Sequence, residues 1–261
     1  MTKIKVGQAL IHYQCKGEGE PLLLIQGLGG DLHNWKSAPV PLQDRHRVIA
    51  FDNRGAGLTE APDASFTMET MADDAAGLLD ALDIPRAHIL GWSMGGNVAQ
   101  EISLRHPDRV ATLVLMSTYT RAPARSRFAL DTMIRGLREG ASPATAMMMM
   151  RAWCSTEAAF AADPAPRAPA VSKGPNGVEG FARQKKALDG FDSRKRLKGL
   201  HVPTLVIHGT DDIMVPPEFA HELAGSIAGA HLHWIKGAGH FLPPEGWVSP
   251  VLDFLAKHPL G

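Results

Sequence analysis

The sequence predicts an α/β chain: a mostly parallel central sheet flanked by helices and carrying an inserted helical lid. Three observations lead there. Short apolar runs, "PLLLIQ" (21–26), "RVIAFD" (47–52) and "VATLVLMST" (110–118), read as buried strands, and helical patterns stand between them. From about 121 to 199 that alternation stops, with composition shifting to Ala, Pro, Arg and Met in "APARSR", "TAMMMM" and "DPAPRAPAVSKGPNG". It resumes at "PTLVIHGTDD" (203–212), so residues 1–120 and 200–261 are expected to form one core and 121–199 its lid.

Each element has its own signal. "IKVGQALIHYQC" alternates enough for an antiparallel pair of strands, and "GEGE" is a turn. "METMADDAAGLLDALDI" places Met68, Met71, Ala75, Leu78, Leu79 and Leu82 at helical spacing and ends before Pro85. "AHILGW" (87–92) is a short strand, and "MGGNVAQEISLRH" (94–106) is helical with Val98, Ile102 and Leu104 on one face. After the insertion come a helix near 217–227, the strand "HLHWI" and a last helix in "WVSPVLDFLAKH".

Bulk properties exclude several classes. At 261 residues and 44% hydrophobic content, the chain can bury a sizeable core. Lys+Arg and Asp+Glu both number 27, so no net charge draws it to nucleic acid or an anionic membrane. Cys15 and Cys154 lie far apart without metal-type spacing and read as reduced thiols. The amphipathic start lacks the apolar region of a signal peptide, and "PLLLI" is too short to span a bilayer, so a cytoplasmic chain is expected.

Ser93 sits where a strand pattern becomes a helix pattern, in "GWSMG". A turn that tight forces the junction residue into a strained conformation and demands small neighbours two before and two after, which Gly91 and Gly95 supply. The pattern reads as a nucleophile elbow, a hydroxyl presented at the tip of a sheet. A turn whose serine merely caps the helix would carry the same pentapeptide. Its partners elsewhere decide between the two.

At this point the chain resembles the alpha/beta-hydrolase family, whose members place serine, acid and histidine in that order. The resemblance implies an acid in "GTDDIMVP", similar to the family's Gly-x-x-Asp turn, and so places that role on Asp212. Asp211 is the competitor, read as solvated or turn-forming. No Asp or Glu occupies 113–120, the alternative position in some relatives. The base is expected at His240 in "IKGAGHFLP", just beyond a strand; His231 and His233 fall within that strand, and His106 and His258 look helix-terminal.

Attack on an ester carbonyl creates an oxyanion, for which the resemblance implies two backbone N–H donors, from Met94 and from Leu28 in "GLGGD". Gln26 stands where the family usually has histidine. "GLGGDL" follows a strand as a dinucleotide loop would, but that reading is weak, since Leu32 replaces the third glycine and no Walker lysine follows. In "FDNRGAGLT", similar to the family's Asp-x-Arg-Gly-x-Gly segment, Asp52 and Arg54 are expected to satisfy backbone and each other.

Trp92, His33, Trp35 and Phe241 adjoin the expected site and are candidate substrate contacts, each better explained singly by ordinary packing. The lid's "AMMMMRAW" suits an adaptable apolar pocket, or simply packs the lid. The expectation is a cofactor-free and metal-free serine hydrolase acting on a hydrophobic ester or lactone through an acyl-enzyme. The alternatives are a carbon–carbon bond hydrolase, a non-turnover ligand receptor and a cofactor-free perhydrolase. Substrate choice lies in the lid and pocket, not in the fold.

Overall fold

The computed structural model describes residues 2–35, 39–162 and 176–260. Its strands are β1 (Thr2–Val6), β2 (Ala9–Lys16), β3 (Glu20–Ile25), β4 (His46–Phe51), β5 (Ala87–Trp92), β6 (Val110–Met116), β7 (Thr204–Gly209) and β8 (His231–Ile235). They form one sheet in the order β1-β2-β4-β3-β5-β6-β7-β8. β2 is antiparallel to both β1 and β4, and every other pairing is parallel. The alternating N-terminal segment thus makes the antiparallel edge, and the apolar runs make the buried middle.

The helices are α1 (Pro39–Gln43), α2 (Met68–Ala81), α3 (Met94–Arg105), α4 (Ala124–Arg138), α5 (Pro143–Cys154), α6 (Glu157–Ala162), α7 (Gly177–Asp189), α8 (Pro217–Ser226) and α9 (Pro244–Ala256). Successive strand residues feed opposite cores, which is why the central strands are apolar without a break. Leu23, Ile25, Ile49, Leu113, Leu115 and Val206 join a core with residues of α2, α3 and α8. Leu22, Leu24, Val48, Val114, Leu205 and Ile207 join a second core with Leu42 of α1 and Trp247, Val251 and Phe254 of α9.

The expected helical faces are buried: Met68, Met71, Ala75, Leu78 and Leu79 on α2, and Val98 and Ile102 on α3. The last helix begins three residues before the predicted stretch, with Pro244 in its first turn, where a missing N–H costs nothing. It also contains Pro250. The Gly246 carbonyl, four residues earlier, loses its helical donor there and accepts from His233 Nε2 at 3.3 Å.

Between β6 and β7 stand α4 to α7, and no described residue of that stretch belongs to a strand. An isolated bridge joins Arg121 to Asp192. Of the Pro-rich run expected at 163–177, residues 163–175 lie outside the described residues. α4 and α7 pack together, and Leu130, Met133 and Ala146 form a small core of their own with Met150 and Phe181 against it.

One expectation is corrected. Asp52 and Arg54 do not pair with each other. Asp52 accepts the N–H groups of Leu32 (2.8 Å) and Leu58 (2.7 Å) and lies 2.7 Å from His12 Nδ1. Arg54 instead makes two 2.7 Å bonds to Asp74 on α2. Asp52 is already held by two backbone donors and a histidine, and Asp74 offers the guanidinium both carboxylate oxygens in the bidentate geometry that it favours.

Candidate active site

Ser93 occupies the junction of β5 and α3 with φ 54° and ψ −123°. This left-handed region is costly for a residue with a Cβ, by about 1–3 kcal/mol, and persists only where surroundings over-determine it. They do so here. The Ser93 N–H donates to the Met116 carbonyl at 2.8 Å, and its own carbonyl accepts from Gly96 at 2.8 Å. The flanking glycines are sterically required: a Cβ on Gly91 would lie 2.2 Å from the Gly95 oxygen, and one on Gly95 would lie 2.0 Å from the Ile25 oxygen.

His240 follows β8 and brings its Nε2 to 3.0 Å from Ser93 Oγ and its Nδ1 to 2.8 Å from Asp212 Oδ2. The carboxylate accepts, so Nδ1 carries the proton and Nε2 faces the hydroxyl as an acceptor. Two further donors fix the Asp212 carboxylate, with Met214 N–H at 2.9 Å and Val215 N–H at 2.8 Å from Oδ1. Asp211 points elsewhere. It is exposed and accepts from Thr210 Oγ1 at 2.7 Å.

The His240 loop is held on three sides. Its carbonyl accepts from Trp92 Nε1 at 3.2 Å and from Ser117 Oγ at 3.1 Å. The next amide, of Phe241, donates to the Cys154 carbonyl at the end of α5, 3.1 Å away. Behind Asp212, His208 donates from Nε2 to the Val215 carbonyl at 2.8 Å, with Asp212 Oδ2 at 3.4 Å. Burial pushes the His208 pKa down, so it faces the carboxylate as a neutral ring.

Met94 is the first residue of α3, and its N–H has no intrahelical acceptor. In the loop after β3, the amides on either side of Leu28 are already engaged. Gly27 donates to Gln26 Oε1 and Gly29 to Gln184 Oε1, both at 2.8 Å. Gln26 therefore braces the loop from its own side chain, while its carbonyl accepts from Asn53 Nδ2 at 2.8 Å.

Ser93 and His240 open into a cavity of about 300 Å³. Leu28, Leu130, Met133, Met147, Met150 and Phe181 supply much of its apolar wall. Met147 and Met150 are one helical turn apart and face inward, whereas Met148 and Met149 are exposed. Trp92 and Phe241 line the cavity and stack on each other with centroids 5.7 Å apart.

Trp35 and His33 are corrected: neither lines the cavity. Trp35 is buried in the second core, edge-on to Trp247 at 6.4 Å, because the turn at 32–35 points it under the sheet and not toward the lid. His33 is exposed. The residues that sequence reasoning missed are those of the inserted stretch that reach back to the site loops. Gln184 Nε2 donates to the Arg54 carbonyl at 2.8 Å, and Asn176 Nδ2 to the carbonyls of Ala56 (2.9 Å) and Gly57 (3.2 Å). Nothing local in "NGVEGFARQKK" marks those two amides.

Both cysteines are free thiols. Cys154 lines the cavity, but burial and the neighbouring Asp212 charge raise its pKa far above the usual thiol range, leaving it un-ionised. Among the described residues, no helix is long and apolar enough to cross a membrane.

The comparisons with known proteins identify the fold family. The family model of the alpha/beta hydrolase fold matches residues 20–246. RutD of Variovorax paradoxus (strain S110), which bears the name of a carbamate hydrolase, is 34% identical over 260 residues, covering 95% of this chain and 96% of its own. Among solved structures, a thermophilic esterase from Thermogutta terrifontis superposes with a TM-score of 0.88 at 29% identity, covering 99% of this chain and 100% of that one. The enol-lactonase from Burkholderia xenovorans LB400 gives 0.86 at 30% identity, with coverage of 98% and 100%.

Proposed function

This chain belongs to the alpha/beta hydrolase fold family and is a hydrolase of that fold; from that premise we propose that it is a serine hydrolase cleaving a carboxylic ester or lactone with an apolar substituent. The observation that carries the proposal is the continuous chain of hydrogen bonds from Ser93 through His240 to Asp212, at 3.0 and 2.8 Å, opening into the cavity under α4 to α7.

The chemistry follows from those contacts. His240 Nε2 takes the Ser93 proton as Oγ attacks the carbonyl carbon, and Asp212 holds the ring and stabilises its positive form. The carbonyl oxygen gains negative charge within reach of the Leu28 and Met94 N–H groups, which are fixed before the reaction begins. His240 then passes its proton to the leaving alkoxide, and the acyl group stays on Ser93. Water, deprotonated by His240, attacks the ester so formed and restores the serine. A lactone differs only in that the leaving oxygen stays tethered. The named activity of the Variovorax relative makes a carbamate the first substrate to try beyond these, since its carbonyl is attacked in the same way.

The test is multiple-turnover hydrolysis of p-nitrophenyl esters of graded acyl length, with lactones and carbamates alongside, comparing wild type and Ser93→Ala. The expected result is turnover that falls by about four to six orders of magnitude in the variant. It should also decline once the acyl chain outgrows a cavity of about 300 Å³. Turnover that survives Ser93→Ala overturns the mechanism. A folded wild type inert toward all three classes, yet retaining a ligand stoichiometrically, favours the receptor alternative.

A further inference from the structure

At the opposite end of the sheet, three ionisable side chains that the reaction does not use converge. Glu20 starts β3, His46 starts β4 beside it in register, and His88 is the second residue of the neighbouring β5. One potential ligand atom from each lies within 4.8 Å of the other two. We propose that Glu20, His46 and His88 form a binding site for a single divalent transition ion of the Zn²⁺ type.

The donor set is two imidazole nitrogens and one carboxylate oxygen, which suits a borderline ion and not Mg²⁺ or Ca²⁺. The spacing suits it too. His88 Nε2 and Glu20 Oε2 are 3.1 Å apart. Two ligands at about 2.0–2.1 Å from a tetrahedral ion stand roughly 3.3 Å from each other. The His46 and His88 rings meet edge-on with centroids 5.9 Å apart, as two imidazoles do when each points a nitrogen at one ion.

The surroundings are prepared for such a site. His88 Nδ1 lies 2.9 Å from Thr112 Oγ1 on β6, which fixes the ring with Nε2 turned toward Glu20. Glu20 Oε1 accepts the Leu260 N–H at 2.8 Å, turning the other oxygen toward the histidines. His46 is 92% buried, and its Nδ1 has no hydrogen-bond partner. Solvent reaches past the partly exposed Glu20 carboxylate to supply a fourth ligand. An ion here clasps the starts of three strands and, through Leu260, the segment after α9. His88 precedes Ser93 by five residues of extended chain, roughly 16 Å, so the clasp acts on stability and not on the acyl transfer.

The test uses the intact protein, treated with chelator and dialysed, titrated with Zn²⁺ by calorimetry near pH 7.5. Wild type and Ser93→Ala should each take up one equivalent with micromolar or tighter Kd, and the unfolding temperature should rise with added Zn²⁺. Glu20→Gln and His46→Gln should each weaken that equivalent more than about tenfold. Their near-UV circular dichroism should match wild type, and any ester turnover should be unchanged. Glu20 is partly exposed, so its isosteric variant keeps the test valid if His46→Gln misfolds. No saturable uptake in the wild type overturns the proposal, as does uptake that both variants retain in full, which would place the ion on other histidines.

Discussion

Two histidines in this molecule stand between a carboxylate and a hydroxyl, one at each end of the sheet. His240 links Asp212 (2.8 Å) to Ser93 (3.0 Å), and His88 links Glu20 (3.1 Å) to Thr112 (2.9 Å). The residue chemistry is nearly the same. The backbone differs: Ser93 stands on a strained turn at the C-terminal end of β5, facing a cavity and a helix N-terminus, whereas Thr112 lies within β6 with a fully buried side chain. Loops at the C-terminal ends of parallel strands diverge and leave a crevice, while mid-strand positions are sealed by their neighbours. On the proposed mechanism a nucleophile is made by where the hydroxyl is placed, and the acid–histidine pair alone specifies none.

The sharpest way to break this comparison is to neutralise each acid in turn. Asp212→Asn should lower kcat by about 10⁴-fold with the fold intact. Glu20→Gln should leave kcat within about twofold, and equal losses in the two would show that the second site is coupled to the reaction. Next in size, Gly95→Ala should cost more than about 4 kcal/mol or abolish folding, because the new Cβ meets the Ile25 carbonyl at 2.0 Å. Urea denaturation measures it, and a soluble, active variant would mean that the elbow can relax.

A pH series sharpens the contrast. Burial lowers the pKa of His46, His88 and His208, so the unfolded chain binds protons near pH 6.5 that the folded chain refuses. The unfolded state therefore binds more protons there, and stability is complete above about pH 6.5 and falls as pH drops below it. Each such histidine adds to that fall in the same direction. Denaturant midpoints between pH 8 and 5.5 report it, and a flat profile would contradict the burial argument. Smaller still, Thr112→Val should cost about 1 kcal/mol through the lost bond to His88 and leave turnover alone. Asp211→Asn should change kcat by less than about twofold. A large loss there would move the acid role off Asp212.

What was legible in the sequence divides along the same line. Ser93, Asp212 and His240 each sit just past an apolar run beside local glycines, and the resemblance to a family that orders serine, acid and histidine in that way singles them out. The choice of Asp212 over Asp211 rests on the resemblance to the Gly-x-x-Asp turn, because periodicity does not tell adjacent residues on one turn apart; their directions differ, with Asp212 buried against His240 and Asp211 exposed. Trp35 was misplaced because an aromatic close in sequence to the Leu28 loop had turned beneath the sheet. Gln184 and Asn176 gave no signal, since their partners are more than 100 residues away and set by how α7 docks. The Glu20, His46 and His88 group was equally silent. It exists because β4 lies on one side of β3 and β5 on the other, an order that periodicity does not encode.

The amide of Phe241 bonds to the carbonyl of Cys154, and Gly239 passes so close to that carbonyl that a Cβ there would meet it at 2.7 Å. The end of α5 and the histidine loop are therefore a matched mould and cast. Chimeras that exchange the α4–α7 segment to borrow another enzyme's selectivity would replace the mould and keep the cast. Crossover points that move 154–156 together with 237–241 preserve the fit, and cuts made at the strand ends alone do not.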